Sequence, residues 1–356
     1  MKKTMVTLAA GMIAASALAQ PPAPAPAAPG RITTPEGASM DSGADLAYKP
    51  GQLTQQQLMA STRDLFAQNS ANVFRRFPRE ATEQMVKFYV NALGLKSLNP
   101  IQLTSTQQML LTGVGTGQIK LSAGTQGNRL YHLDGGYKAG TGIRYFRLTY
   151  PDAAVVTKRF TDAGFAAPKF ENEGDGTRAA MVTDPGGFQI EVVIKPGAKD
   201  GSNDGVGVGI SVSNLEKSRA FYREFVGLDE LPPVKDKVLG LTLYPYRRGE
   251  TMMYLYHAGD NLPKDNGSAG IQYVVSDTPM AAARGAARNV PIETPLNKLR
   301  GFDLVTIWLN DPDGVTNYYA QITRRPAAAA ATPAPASAPA PAMPTMPVAP
   351  SVKTMN

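Results

Sequence analysis

The sequence predicts an α+β protein built from two tandem modules, and three observations carry that prediction. A turn signal recurs, Asp184-Pro185-Gly186-Gly187 and Asp311-Pro312-Asp313-Gly314, with starts 127 residues apart. An aromatic pair followed by Gly-Leu recurs at an offset of 133: Phe88-Tyr89 leads to Gly94-Leu95, and Phe221-Tyr222 leads to Gly227-Leu228. Each copy also reads as strand–helix–strands, twice over. Two independent landmarks with nearly one offset mark an internal duplication.

Length and composition set the outer bounds. A chain of 356 residues with 43% hydrophobic content has material for two or so domains with buried cores. With no cysteine there are no disulfides, no thiolate-held zinc, no iron–sulfur cluster and no thiol nucleophile. Two histidines supply at most part of one metal site. The net charge of +7 is scattered in pairs such as Arg75-Arg76, Arg247-Arg248 and Arg324-Arg325, with no basic run interleaved with aromatics, so nucleic acid is not an expected partner.

Residues 1–19 read as a secretory signal peptide. Lys2-Lys3 precede an apolar stretch from Met5 to Leu18, and Ala17-Leu18-Ala19 fits the small-x-small cleavage rule. No later stretch approaches the roughly 18 apolar residues of a spanning helix. The mature protein is therefore expected in the periplasm or secreted, with no transmembrane segment. Residues 20–50 read as a Pro/Ala-rich disordered linker and 325–356 as a matching tail, because such composition cannot bury a core. These tails act as spacers or as envelope contacts. Residues 51–72 are expected as a short helical lead-in, Leu58, Leu65 and Phe66 packing on the first module.

The modules follow at 73–198 and 204–324. In the second, Val206–Ser213 alternates like a strand, Asn214 caps a helix to Val226, and Leu239–Tyr246 and Thr251–His257 are strands. Strand Ile271–Ser276, cap Asp277 and helix Thr278–Asn289 come next, and strands flank the Asp-Pro turn. The first module repeats this with strand Ile143–Tyr150, cap Asp152, helix Ala153–Ala163 and strands through Ile194. Its opening is irregular, because Pro78 follows Phe74–Phe77 where a clean strand is expected.

The run Val208–Leu228, VGISVSNLEKSRAFYREFVGL, resembles the opening unit of the vicinal oxygen chelate superfamily. Glyoxalase I, the bleomycin-resistance proteins and the extradiol dioxygenases belong to that group. The two Asp-Pro hairpins resemble its closing unit. The resemblance implies tandem paired βαβββ modules with a cleft in each pair, and a monomer that is its own pseudo-dimer. Metal-dependent members carry a His, Gln or Glu on the first strand of a unit and a Glu on the last. At the matching positions this chain has Gly207, Gly270 and Tyr318, none of them a useful ligand, and Glu191 alone fits. Lys120 falls on the other last-strand position of the first module and is a possible neighbour of Glu191. The expected metal set is therefore none, and no cofactor is expected.

His132, in a Gly/Tyr-rich loop, and His257, at a strand end, lie in different modules and do not complete a site. Gly113-Val114-Gly115-Thr116-Gly117 is no dinucleotide loop, because a strand rather than a helix follows it. The expected clefts are lined instead by aromatics and a few polar groups: Lys120, Tyr145, Arg147, Glu191, Tyr254, Gln272 and Tyr318. Tyr244, Tyr246 and Tyr256 are expected as further cleft wall, and Trp308 as core. Such walls suit a planar or amphipathic small molecule. The leading reading is an exported small-molecule-binding protein with a degenerate metal site. One alternative is a metal-dependent lyase or dioxygenase using Glu191, with a divalent metal as cofactor. The other is an envelope scaffold whose tails act as spacers.

Overall fold

A computed structural model describes residues 30–33, 39–102, 108–125, 128–201, 205–299 and 302–323. The signal peptide expected at 1–19, the linker up to residue 29 and the tail 325–356 lie outside the described residues. The chain opens with a hairpin, β1 (Arg31–Thr33) and β2 (Ser39–Ser42), followed by helix α1 (Gln55–Met59). A capping box starts α1, the Thr54 hydroxyl accepting from the Gln57 amide while Gln57 reaches back to the Thr54 amide.

Four βαβββ units follow. The first holds β3 (Asn72–Phe77), α2 (Thr82–Val86), β4 (Lys96–Gln102), β5 (Gln108–Val114) and β6 (Gly117–Ala123). The second holds β7 (Gly142–Tyr150), α3 (Ala153–Asp162), β8 (Glu171–Asn172), β9 (Arg178–Thr183) and β10 (Gln189–Ile194). The third holds β11 (Gly207–Ser211), α4 (Leu215–Ala220), β12 (Asp229–Glu230), β13 (Val234–Asp236), β14 (Leu241–Arg248) and β15 (Thr251–Tyr256). The fourth holds β16 (Ala269–Val274), α5 (Thr278–Ala287), β17 (Ile292–Leu299), β18 (Leu304–Asn310) and β19 (Thr316–Ile322). No described helix is long and apolar enough to cross a membrane.

The three caps read from the sequence form: Asp152, Asn214 and Asp277 each accept backbone amides of the helix that follows. The opening of the first unit is more regular than expected. All six residues of β3 are buried, and the strand simply ends before Pro78, which has no N–H to continue a ladder. In α2 and α4 alike, the helix loosens into a π-helical turn at the aromatic pair, over Lys87–Ala92 and Phe221–Val226. Gly94 and Gly227 then take left-handed backbone, φ 67° and 85°, and reverse the chain into the next strand.

Within each unit strands pair with one another, and the units themselves join edge to edge across the modules. β7 runs antiparallel to β11, joining units two and three in a nine-stranded sheet. β3 runs antiparallel to β16, joining units one and four in a ten-stranded sheet. Each expected module therefore supplies half of each sheet. The α3 helix packs on the helix of unit one, and one large core joins the helix-side faces of both sheets, from Val73, Ile119 and Tyr273 to Phe146, Val192 and Leu255.

Two expectations change. The described part of 20–50 includes two antiparallel strands, β1 and β2, with Asn297 and Lys298 of β17 pairing to Ser42 and Asp41. β2 pairs the backbone hydrogen-bonding groups on the edge of β17, and Ile32 faces Met40 across the hairpin. The first part of the lead-in 51–72 packs on the second module, and only its end reaches the first, where Gln68 donates to Thr116 O at 2.7 Å. Arg284 donates to Gln57 O at 3.0 Å and to Asp64 Oδ2 at 2.9 Å, Arg288 donates to Leu58 O at 2.7 Å, and Arg63 reaches Asp229 Oδ2 at 3.0 Å.

The two sequence landmarks of the repeat turn out to touch. Tyr89 of the first aromatic pair donates to Asp184 Oδ2 of the first Asp-Pro turn at 3.1 Å, and Tyr222 of the second donates to Asp311 Oδ2 at 3.0 Å. Each aspartate also caps its own turn, accepting the Gly186 and Phe188 amides in one case and those of Asp313 and Val315 in the other. Asp184 has a bidentate guanidinium partner, Arg75 Nε at 3.0 Å and Nη2 at 3.2 Å, and both side chains are fully buried. Asp311 has no cationic partner among the described residues, and burial pushes its carboxyl up to about 7.

Replacing Tyr222 or Tyr89 by Phe should cost about 1–3 kcal/mol in urea unfolding, because a buried carboxylate loses a donor. The fold holds Asp311 protonated where the unfolded chain, near 3.8, ionises it. Its contribution is present in full below that value and is lost as pH rises through about 7. Unfolding midpoints measured from pH 4 to 8 should fall less steeply for Asp311→Asn than for the wild type.

Candidate functional site

Strand alternation sorts the seven expected pocket residues onto the sheet faces turned away from the helices. On β10, Ile190 and Val192 enter the helix-side core, so Glu191 points the other way, and it is fully buried there. The same alternation places Lys120 between Ile119 and Leu121, Gln272 between Ile271 and Tyr273, and Tyr318 beside Tyr319. The seven residues divide between the sheets. Tyr145, Arg147, Glu191 and Tyr254 share the nine-stranded sheet, and Lys120, Gln272 and Tyr318 share the ten-stranded one.

The two sets are counterparts in register. Arg147 stands opposite Glu191 as Gln272 stands opposite Tyr318. Gly209 stands opposite Tyr254 as Phe74 stands opposite Lys120. A ring covers a glycine in each sheet. Tyr145 lies over Gly209 and Phe74 over Gly270, so closely that a Cβ on either glycine would collide with the ring.

In the nine-stranded sheet, Arg147 is the hub. Its Nε and Nη2 donate to Glu191 Oε2 and Oε1 at 2.5 and 2.7 Å, and Nη2 also donates to Asp236. The guanidinium lies 4.6 Å from the centre of the Tyr254 ring, a cation–π contact. Gly207 makes room for both, since a Cβ there would press on Arg147 and Tyr254. Asp236 comes from β13, which pairs with β14 and folds over the face. Glu173, in the loop between β8 and β9, accepts the Lys237 and Val238 amides at 2.9 and 3.2 Å and holds that flap down. Oxygens of Glu173, Glu191 and Asp236 lie within 4.8 Å of one another.

Three carboxylates around one guanidinium carry excess negative charge. Burial pushes Glu191 up to about 7, with Arg147 pulling it back and Asp236 adding to the rise, and burial also raises Glu173. Next to this cluster Tyr145, Tyr256, Leu239 and Leu243 form a small second core. Tyr256 donates to Tyr137 O at 2.7 Å, while the Tyr145 hydroxyl is buried with no partner among the described residues.

In the ten-stranded sheet the chemistry differs. Lys120 Nζ donates to Gln272 Oε1 at 2.5 Å, and the same oxygen accepts Asn72 Nδ2 at 3.0 Å. Burial alone pulls the Lys120 amine down to about 8. Tyr318 lies beside Trp308, ring centres 5.3 Å apart.

Several expectations are corrected here. Lys120 is not a neighbour of Glu191, because unit one pairs with unit four; the cation on Glu191 is Arg147. Trp308, expected in the core, is half-buried on the face away from the helices between Tyr318 and Arg129. Tyr246 belongs to the helix-side core, its hydroxyl on Glu230 at 2.9 Å, and Tyr244 packs against that core. His257 contacts Val212 O and Asp260, and neither histidine joins the carboxylate cluster. Asp236 and Glu173 were not anticipated. Asp236 sits in Lys235-Asp236-Lys237 and Glu173 in Glu173-Gly174-Asp175-Gly176, and both stretches look like solvated turns in sequence.

Four βαβββ units, paired crosswise into two sheets with their helices on one side, define the vicinal oxygen chelate fold. The chain is similar to glyoxalase I from Zea mays, at 19% identity and TM-score 0.55, over 71% of this chain and 93% of that one. A variant of the same maize enzyme aligns at 17% identity and TM-score 0.56, over 71% and 95%. A proposed dioxygenase from Bacillus subtilis aligns at 14% and 0.51, over 73% and 86%. At these identities the likeness establishes the fold. No protein-family model and no curated protein matches the sequence.

Removing the hub has a defined cost. Arg147→Met leaves buried carboxylates without their cation and should lower unfolding stability by about 3–5 kcal/mol. The loss should be larger at pH 8 than at pH 5, since Glu191 can then no longer escape as the neutral acid. Equal losses at both pH values would mean that Arg147 acts by packing alone.

Proposed function

We propose that this chain is an exported small-molecule-binding protein on the glyoxalase/vicinal oxygen chelate fold, working without a divalent metal. The observation that carries the reading is the Arg147 guanidinium, bound to both Glu191 oxygens and to Asp236. The residues present do not fit a divalent ion. Glu191 is the one position matching a family ligand, and both its oxygens are taken by a permanent cation. An ion beside them would face that cation directly, and the first-strand position opposite Arg147 is Gly207, which has no ligand atom. Export rests on the leader at 1–19 and on the indifference of a cysteine-free chain to an oxidising compartment. Aromatic walls with few polar groups support a planar or amphipathic ligand.

A second reading has one specific observation in its favour: three carboxylates within 4.8 Å of one another. If Arg147 swings away, they become oxygen ligands for a metal-dependent lyase or dioxygenase. Elemental analysis of protein purified from its exported form separates the two. The binding reading expects sub-stoichiometric Mn, Fe, Ni and Zn, unchanged by Glu191→Gln. Near-stoichiometric metal that disappears in Glu191→Gln would overturn it in favour of the enzyme.

A further inference from the structure

Lys120 is a cation without a counter-charge. It is half-buried, its amine donates only to Gln272, and no carboxylate lies within ion-pair distance among the described residues. An ammonium has three donors, so two remain without a protein acceptor. A charge so placed is unfavourable unless something else pairs it, consistent with the amine's fall to about 8. The other charges on this face are already engaged. Arg76 stacks on Phe74 at 4.5 Å, Arg129 is paired with Glu293, and Glu293 accepts Thr316 Oγ1 at 2.7 Å.

The counterpart face makes the contrast sharp. There the cation, Arg147, is matched by carboxylates of the protein itself. Here the register position opposite Gln272 carries Tyr318, and no acid replaces Glu191. The lysine's surroundings are also suited to more than an inorganic ion. Tyr318 and the half-buried Trp308 sit at 65° to one another on the two strands beyond Gln272. At about 4.8 Å per strand, their rings lie roughly 5–10 Å from an amine that already reaches β16, the span of a small aromatic acid.

We propose that this face of the ten-stranded sheet binds a small planar organic anion, its acid group on the Lys120 amine and its ring against Tyr318 and Trp308. The proposal rests on the small-molecule reading above and names the ligand class. The anion replaces Gln272 or joins it on the ammonium, and Asn72 and Gln272 supply amide donors at its side. An inorganic anion would use the amine but gain nothing from the rings.

Trp308 is the only tryptophan in the chain, so its fluorescence reports this face and no other. Titrating the full mature chain with 2-naphthoate should quench it saturably, and the neutral 2-naphthamide should bind at least about tenfold more weakly, as one charge-assisted hydrogen bond implies. Lys120→Met should abolish that preference, whereas Lys158→Met, a change at an exposed helix position, should leave it intact. Should Lys120→Met fail to fold by circular dichroism, Lys120→Gln serves in its place. Equal binding of the two probes, or a preference that survives in the Lys120 variant, overturns the anion class and leaves a small-molecule site standing. Binding of neither overturns the site itself. The metal analysis is independent of both results, so failure here is distinguishable from failure of the metal-free reading.

Discussion

Three separate pieces of chain meet at the buried carboxylate of Asp184: the strand that opens the first unit, the helix that follows it, and the turn that closes the second. Arg75, Tyr89 and the turn's own amides saturate it. The position of unit two relative to unit one depends on this meeting, and Asp311 repeats it between units three and four with Tyr222. A buried acid that loses a donor is expensive, so aspartate and tyrosine constrain each other across about ninety residues. The landmarks of the repeat are therefore two halves of one contact, which explains why they stand at nearly the same offset. The second lock has no arginine among the described residues, and burial drives its acid towards neutrality.

Much of the fold was legible in the sequence, for a local reason in each case. Caps at Asp152, Asn214 and Asp277, the Gly-Leu reversals and the Asp-Pro turns are all written within a few consecutive residues. Crosswise pairing was not legible. Nothing in β7 states that its neighbour is β11 rather than β3, since both are apolar strands of similar pattern. That one ambiguity placed Lys120 beside Glu191 in the sequence reading and on the opposite sheet in the structure. Within the site, Glu191 was found by its place on the strand after the Asp184 turn, and Arg147 and Tyr254 by the patterning of their strands. Asp236 and Glu173 escaped because a charged residue in a polar turn gives no sign that the turn will fold back over a sheet.

The two faces are made from corresponding positions, yet their electrostatics are opposite. One surrounds its cation with carboxylates, covers it with the β13 flap and fills the space beside it with Tyr145, Tyr256 and Leu243. The other leaves a half-buried amine and two half-buried aromatic rings beside two buried amides. Substitutions at a few register positions, Arg147 against Gln272, Glu191 against Tyr318, and Tyr254 against Lys120, together with the carboxylates of Asp236 and Glu173 from outside that register, account for the difference. The scaffold beneath them, with its paired strands and ring-over-glycine contacts at Gly209 and Gly270, is common to both.

Crosswise pairing inside one chain also has a consequence for what such a molecule can become. Two identical half-length chains assembled about a two-fold axis would have identical recesses, and every mutation would strike both at once. Covalent fusion breaks that symmetry while leaving each sheet assembled from the same kinds of unit. A residue that rigidifies one recess then carries no penalty for recognition in the other. The chain can commit one half of its architecture to cohesion and leave the other free to be selected for a ligand.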